Sequence, residues 1–290
     1  MRALYRRIID HMFLLAFPIA SLMLAGCDVG NLVDNGDASG NATAAEAFSF
    51  ELQVAQQDRI ELRGVNGNVE LAGVSEAQTV HIWGERRVTS RSTADAHAYL
   101  SHLQARVTDG NAAVLVETVQ PDDNHGRQLQ VDYHLRVPYS WHAEIHNTNG
   151  NVTIDSLGQA VAIFLINGNV LAQKIASSVS ASSTNGNAML NEIHGSAHVA
   201  LMNGNVDATI FMPPRAACNL NTINGTIALQ IPRATSAEFS ASLSNGTIGL
   251  IDLMLQSVDS SPTSTRGRLG DGSGRISLKT VNGDIRVRGF

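Results

Sequence analysis

The sequence predicts an all-β chain. It reads as a β-solenoid of parallel β-helix-like coils turning at Asn-Gly bends, with one short helix near the N-terminal end. Three observations carry this. Counting outward from eight Asn-Gly pairs, at Asn66, Asn149, Asn167, Asn185, Asn203, Asn224, Asn245 and Asn282, returns the same columns each time. The third and fifth positions after Asn are apolar in every unit, from Val69 and Leu71 to Ile285 and Val287; so is the fourth position before it, from Leu62 to Leu278. The residue after Gly is Asn, Thr or Asp throughout. The spacing is the second observation: 18 residues between successive pairs from Asn149 to Asn203, then 21, 21 and finally 37. A recurring period of this size fixes architecture before any local pattern does. Third, aromatic residues are only 5% against 43% hydrophobic, which suits thin coils filled by Val, Ile, Leu and Ala.

Each unit reads as two short strands around a bend. Apolar residues two apart give the period of a half-buried strand. Asn-Gly supplies the bend because Gly, and to a lesser degree Asn, accept positive φ. One unit buries about four apolar side chains, each worth roughly 1.5–3 kcal/mol. Ordering its backbone costs roughly 1–2 kcal/mol per residue, so units must stack. An antiparallel meander is the competing arrangement, since Asn-Gly between alternating hydrophobics is a strong hairpin signal. A meander needs a second tight turn per unit. At the ninth and tenth positions after Asn stand Gly158-Gln159, Ala176-Ser177, His194-Gly195 and Met212-Pro213, which share no turn chemistry. The solenoid is therefore favoured, with Asn stacked on Asn at about 4.8 Å.

The chain opens on a processing signal. Arg2, Arg6 and Arg7 precede an apolar stretch from Met12 to Ala25, too short for a comfortable membrane span. It ends in Leu24-Ala25-Gly26-Cys27, which looks like a bacterial lipobox: residues 1–26 are a signal peptide and Cys27 is the lipidated first residue of the mature chain. Met12 is an alternative initiator, at the loss of the basic start. Asp28 resembles an inner-membrane retention signal, so the periplasmic face of the inner membrane is favoured and the outer membrane kept open. The acyl chains supply about 0.8 kcal/mol per buried CH₂ and anchor the protein. Removing residues 1–26 takes away three Arg and one Asp, leaving 17 basic and 25 acidic residues and a net charge of −8. That balance argues against nucleic acid as a partner. Cys218 has no intramolecular partner once Cys27 is acylated and reads as a small buried hydrophobe.

Residues 27–47, rich in Asn, Asp, Gly, Ala and Ser, are expected to be a flexible tether. The solenoid domain takes residues 48–290, with 48–142 as an N-terminal capping part and 143–290 as regular repeats. Within the cap, residues 48–75 give a first strand pair and coil, and Val80 to Trp83 a strand. Ser92 to Val107 is a helix, capped by Ser92 or Thr93, with Ala96, Leu100 and Leu103 on one face. Strands follow at Ala113 to Val119 and at Leu129 to Val137, ending at Pro138. Residues 256–274, rich in Ser, Gly and Asp, read as a loop. Residues 275–290 are the terminal coil, with Phe290 helping to close it.

The order of these elements resembles the putative-adhesin β-strand-repeat family, a bacterial envelope domain of unknown function. The resemblance rests on Val65-Asn66-Gly67-Asn68-Val69, on a strand, helix and strand leading into Val137-Pro138, on the repeated units, and on Thr280-Val281-Asn282-Gly283-Asp284-Ile285. It spans residues 48–290. It implies a β-solenoid and no catalytic residues.

Chemistry-bearing constellations are few. Asp155, Lys174, Asp207 and Arg215 do not share a column, so no carboxylate cluster for acid–base work is expected on the coil faces. His142/His146 and His194/His198 are each four apart, which would suit zinc on a helix but not on strands. No metal, cofactor or catalytic residue is expected. Ile163 and Leu165 should point inward, leaving Phe164 and Ile166 outward, which makes Phe164 the candidate contact for an envelope protein or glycan; the competing expectation is that a loop covers it. The function expected is a non-enzymatic, lipid-anchored scaffold or binding domain of the cell envelope. The alternative is a carbohydrate-binding or carbohydrate-active β-helix, which three acidic residues on adjacent coils would support.

Overall fold

The computed structural model describes residues 42–290. The expected signal peptide, Cys27, Asp28 and most of the expected tether lie outside the described residues. Strand β1 (Ala42–Gln53) takes in the last six residues of the segment expected to be tether. They are four Ala with Thr43 and Glu46, and pairing with the long strand β4 (Thr79–Ser90) orders them although they bring little apolar surface.

The chain continues through β2 (Arg59–Arg63), β3 (Val69–Val74), β4 (Thr79–Ser90), helix α1 (Thr93–Leu100), β5 (Gln104–Asp109), β6 (Ala113–Val119) and β7 (Gln128–Pro138). Then come the regular strands: β8 (His142–Asn149), β9 (Val152–Leu157), β10 (Val161–Asn167), β11 (Val170–Ile175), β12 (Val179–Asn185), β13 (Ala188–Ile193), β14 (Ala197–Asn203), β15 (Val206–Ile210), β16 (Ala217–Asn224) and β17 (Ile227–Ile231). The C-terminal part holds β18 (Ala237–Ser242), β19 (Ile248–Ile251), β20 (Gln256–Ser261), β21 (Ser264–Leu269), β22 (Gly274–Lys279) and β23 (Ile285–Gly289).

Strands before and after each Asn-Gly corner fall into two different sheets. Sheet I runs β1-β4-β7-β3-β9-β11-β13-β15-β17-β23-β19, and sheet II runs β20-β21-β18-β22-β16-β14-β12-β10-β8-β2-β6-β5. Neighbouring coils pair in parallel and in register, Ile163 beside Ala181 and Val170 beside Ala188. This is the solenoid and not the meander. All residues of the three apolar columns are buried except Ile248 and Leu250, which lie on the terminal strand β19. The second bend of each coil has its own chemistry, at the seventh position after Asn: Ser156, Lys174 and Glu192 all have positive φ. The extra residue shifts the alternation by one and turns Leu157, Ile175 and Ile193 inward.

The corners stack as a ladder. Asn149 Nδ2 donates to Asn66 Oδ1 at 2.6 Å, Asn167 to Asn149 at 2.7 Å and Asn185 to Asn167 at 2.8 Å, and the series runs on to the C-terminal end. A second ladder lies beside it: the backbone N–H of Asn169 donates to Asn151 Oδ1 at 3.0 Å and that of Asn187 to Asn169 Oδ1 at 2.9 Å. These bonds occupy the amide oxygens that a cation would need.

Four expectations are corrected. The Asn66 coil is not part of a separate cap. Its strands β2 and β3 pair in register with β8 and β9, so it is the first rung of the stack, with the true cap inserted between β3 and β8. From this insertion β7 pairs parallel with β3 and β4 antiparallel outside it, and β1, from before the first coil, adds a further antiparallel strand on β4. The helix ends at Leu100, capped by Ser92, whose Oγ accepts from Asp95 N. Leu103 is buried as expected, but Gln104 onward pairs antiparallel with β6, and that ladder overrides helix propensity. At the other end the expected loop of residues 256–274 holds the β20–β21 hairpin, which covers the free edge of β18. The coil of residues 275–290 is not terminal: β22 lies between β16 and β18, and β23 between β17 and β19.

An ion pair ties α1 to the segment before β7. Arg127 Nε and Nη2 donate to the Asp95 carboxylate at 2.8 and 2.6 Å, and the Ser90 hydroxyl also donates to it. Arg127, then Ser90, holds the Asp95 carboxyl down at about 2. A lowered carboxyl stabilises the fold above its ordinary pKa of ~3.9 and loses that contribution as pH falls through its folded value. Asp95→Asn is therefore expected to melt below the parent above pH ~4 and to converge with it towards pH ~2. Parallel melting curves at every pH would remove this tie from the account. Cys218 lies fully buried between β14 and β22, and burial alone pushes its thiol up to about 12, which makes it a packing residue.

Candidate functional site

The outer face of sheet II carries the densest group of outward side chains with chemistry. Residues two apart on a strand share a face, and the parallel register aligns them across strands. One row crosses the sheet through Glu117, Arg63, His146, Phe164, Ser182 and Ala200. The row beside it sets Glu61 against Glu144.

Phe164 is 43% exposed, and no loop among the described residues covers it. Ile163 and Leu165 are buried and Ile166 is exposed, as the alternation predicts. One face of the Phe164 ring stacks on His146, with centroids 4.5 Å apart and planes 13° apart. His146 Nε2 is held in turn by Glu144 Oε1 at 2.8 Å. On the other side the neighbour in register is Ser182, followed by Ala200, and neither is long enough to cover a ring. The aromatic face is thus fixed from behind and open in front. Beside it, in the column preceding the corner Asn, Ile166, Met202 and Ile223 are also exposed.

The three carboxylates are a feature that the sequence reading missed. Glu117, Glu61 and Glu144 lie on the adjacent strands β6, β2 and β8, contrary to the expectation that no such cluster exists on a coil face. Arg63 bridges two of them, at 2.6 Å to Glu61 and 3.8 Å to Glu117. Its guanidinium pKa is raised, chiefly by the hydrogen bond to Glu61. The cluster escaped notice because its members come from β2, β6 and β8, far apart in sequence and outside the regular spacing. The group is open to solvent and presents acceptors, one cation and an aromatic face. It can hold a polar ligand with an apolar side. Below it, a cleft of about 250 Å³ lies between Arg59, His142, Glu144 and the small residues Ala160, Ala162 and Ser180.

The other predicted groups are accounted for. His194 stacks on Phe211 at 4.6 Å. His142 lines the cleft and His198 points outward. Among the described residues no three His, Cys, Asp or Glu side chains are placed to hold a metal ion. Trp83, on sheet I, is flanked by His81, stacked at 4.5 Å, and His134, stacked at 5.5 Å.

A two-sheet parallel solenoid with a laddered Asn-Gly corner and a strand-and-helix cap defines the class, an all-β repeat domain. The chain belongs to the Toastrack DUF4097 family, whose sequence model matches residues 38–288. That bears out the resemblance carried by the motif order. Among solved structures, a putative cell adhesion protein from Clostridium sporogenes is similar at 11% identity and a TM-score of 0.35, over 84% of this chain and 100% of that one. A putative adhesin from Bacteroides fragilis follows at 12% identity and a TM-score of 0.32, over 84% and 97%. A putative lipid binding protein from Parabacteroides distasonis has 11% identity and a TM-score of 0.32, over 86% and 98%. Likeness this distant carries no argument about activity. No curated protein matches the chain.

Proposed function

We propose that the protein is a non-enzymatic scaffold of the bacterial envelope. In this reading Cys27 carries the acyl chains, the domain stands on the periplasmic face of the inner membrane or, if Asp28 does not retain it, of the outer one, and the outer face of sheet II receives an envelope protein. The observation that supports it is Phe164, an aromatic ring braced by His146 on one side and uncovered on the other. Exposed apolar area of this kind, continued by Ile166 and Met202, is the ordinary mark of a contact surface. Phe164→Ser, in the lipidated protein, is expected to abolish capture of the partner and leave the melting temperature within a few degrees of the parent. Unchanged capture would remove Phe164 from the surface. Cys27→Ala is expected to release the protein from membranes; membrane retention in that variant would end the anchoring part of the proposal.

A second reading, a carbohydrate-active protein, is favoured by Glu61 and Glu144 in one row with Glu117 in the next. Two carboxylates flanking a bound sugar are the machinery of glycoside hydrolysis. Under this reading the purified protein hydrolyses an envelope glycan and Glu144→Gln stops it. A Glu144→Gln variant as active as the parent would dispose of it.

A further inference from the structure

At the C-terminal end of the same face the charge changes sign. The register places Arg268, Glu238 and Arg275 side by side across β21, β18 and β22, with Arg266, Ser240 and Ser277 in the next row. Lys279 follows on β22. The β20–β21 hairpin walls one side of this corner and borders an open cleft of about 500 Å³, within the usual size of a small-ligand pocket. We propose that this cleft binds the charged groups of an anionic polysaccharide, one bearing carboxylate or sulfate on its sugars.

The arginines are the first support. Arg63, Arg86, Arg127 and Arg286 each hold a carboxylate at 2.6–2.8 Å. Among the described residues Arg266, Arg268 and Arg275 make no ion pair; Arg268 Nη2 donates only to Gln256 Oε1, at 3.2 Å. The acidic groups beside them are Glu238, in the row, and Asp259, opposite Arg266 on β20. Three arginines and one carboxylate, Glu238, therefore line the cleft, in a chain whose net charge is −6. Planar guanidinium groups bind carboxylate and sulfate through paired N–H donors.

The floor is the second support, and it selects among anions. Ser240 and Ser277 lie between the arginines, and their row continues up the sheet through Asn219, His198 and Ser180. This is a track of uncharged hydrogen-bonding side chains, suited to hydroxyl groups. A nucleic acid would need cations along its length. Strands β16, β14, β12, β10 and β8 contain no Lys or Arg.

The site is independent of Phe164, which stands four strands away, about 19 Å, so either can fail alone. The test uses the full chain in detergent with polygalacturonate, dextran sulfate and neutral dextran as probes. Binding of at least one polyanion and none of dextran is expected. Arg266→Gln and Arg275→Gln should each weaken it about tenfold, while Arg275→Lys weakens it less and Lys174→Gln, on sheet I, not at all. Phe164→Ser should leave polyanion binding in place. The proposal is overturned by failure to bind either polyanion at low salt, or by equal binding in the two glutamine variants. Full displacement by millimolar inorganic phosphate would also overturn it, in favour of a phosphoryl site.

Discussion

Gly186→Ala is expected to lower stability by more than about 4 kcal/mol, which places it among the exceptional single substitutions. Two effects combine at this corner. Gly186 has φ +136°, where an L side chain is strained. The added methyl would also lie on top of the Gly168 carbonyl oxygen, with the Gly168 carbon and Asn169 nitrogen directly behind it. Nothing in that contact is a flexible side-chain end. Relief would require the coils of Asn167 and Asn185 to move apart, and the hydrogen bonds of both corner ladders would lengthen with them. Gly249→Ala is the matched control: it lies on the edge strand β19, with no heavy atom within 4 Å of the new carbon. It should stay within about 0.5 kcal/mol of the parent. Urea midpoints at unchanged m-value measure both. Equal midpoints for the two variants would mean that the corner glycines are not packed as described.

The second large effect concerns the C-terminal end. Deleting residues 275–290 is expected to release everything after β17, because β22 and β23 are the inward partners of β18 and β19. Limited proteolysis should then trim the chain back to about residue 231. Had the coils stacked in sequence order, the deletion would remove only an end rung and leave residues 237–251 docked. Paired cysteines report the same order without truncation. Ala228 and Arg286 are neighbours in register, so Ala228→Cys with Arg286→Cys should oxidise to a disulfide. Ala228→Cys with Gly249→Cys should not, since two strand spacings, about 9.6 Å, exceed disulfide reach.

Much of this fold was legible in the columns. The Asn-Gly corners, the buried positions, the alternation at Phe164 and the family all follow from residue type and spacing. What was not legible has physical reasons. The interleaved last coil leaves its only trace in the position after Gly, where Thr226, Asp284 and Thr247 replace Asn. Thr247 donates both its backbone N–H and its hydroxyl to Asp284 Oδ1 at 2.9 Å. Stacked directly on Thr226 it would have found no side-chain carbonyl or carboxylate oxygen. The β20–β21 hairpin was hidden because an exposed outer strand carries little apolar pattern. The bends at Ser156, Lys174 and Glu192 were hidden because positive φ usually selects Gly or Asn. The cluster of Glu117, Glu61 and Glu144 was assembled by long-range register, to which local periodicity is blind. Asp132 shows the same limit: it lies on β7, outside any repeat, yet its Oδ1 accepts from Asn68 N at 2.7 Å and so begins the second ladder.

The claim on which the functional account turns is that the outer face of sheet II, and not that of sheet I, meets the partner. Photo-crosslinking in living cells tests it most directly, with the probe at Phe164 in one strain and at Met189 in another, and Cys27 intact in both. Phe164 and Met189 are similarly exposed on opposite sheets, so accessibility does not separate them. A discrete protein adduct is expected from position 164 and none from 189. The same adduct from both positions, or one from 189 alone, would contradict it.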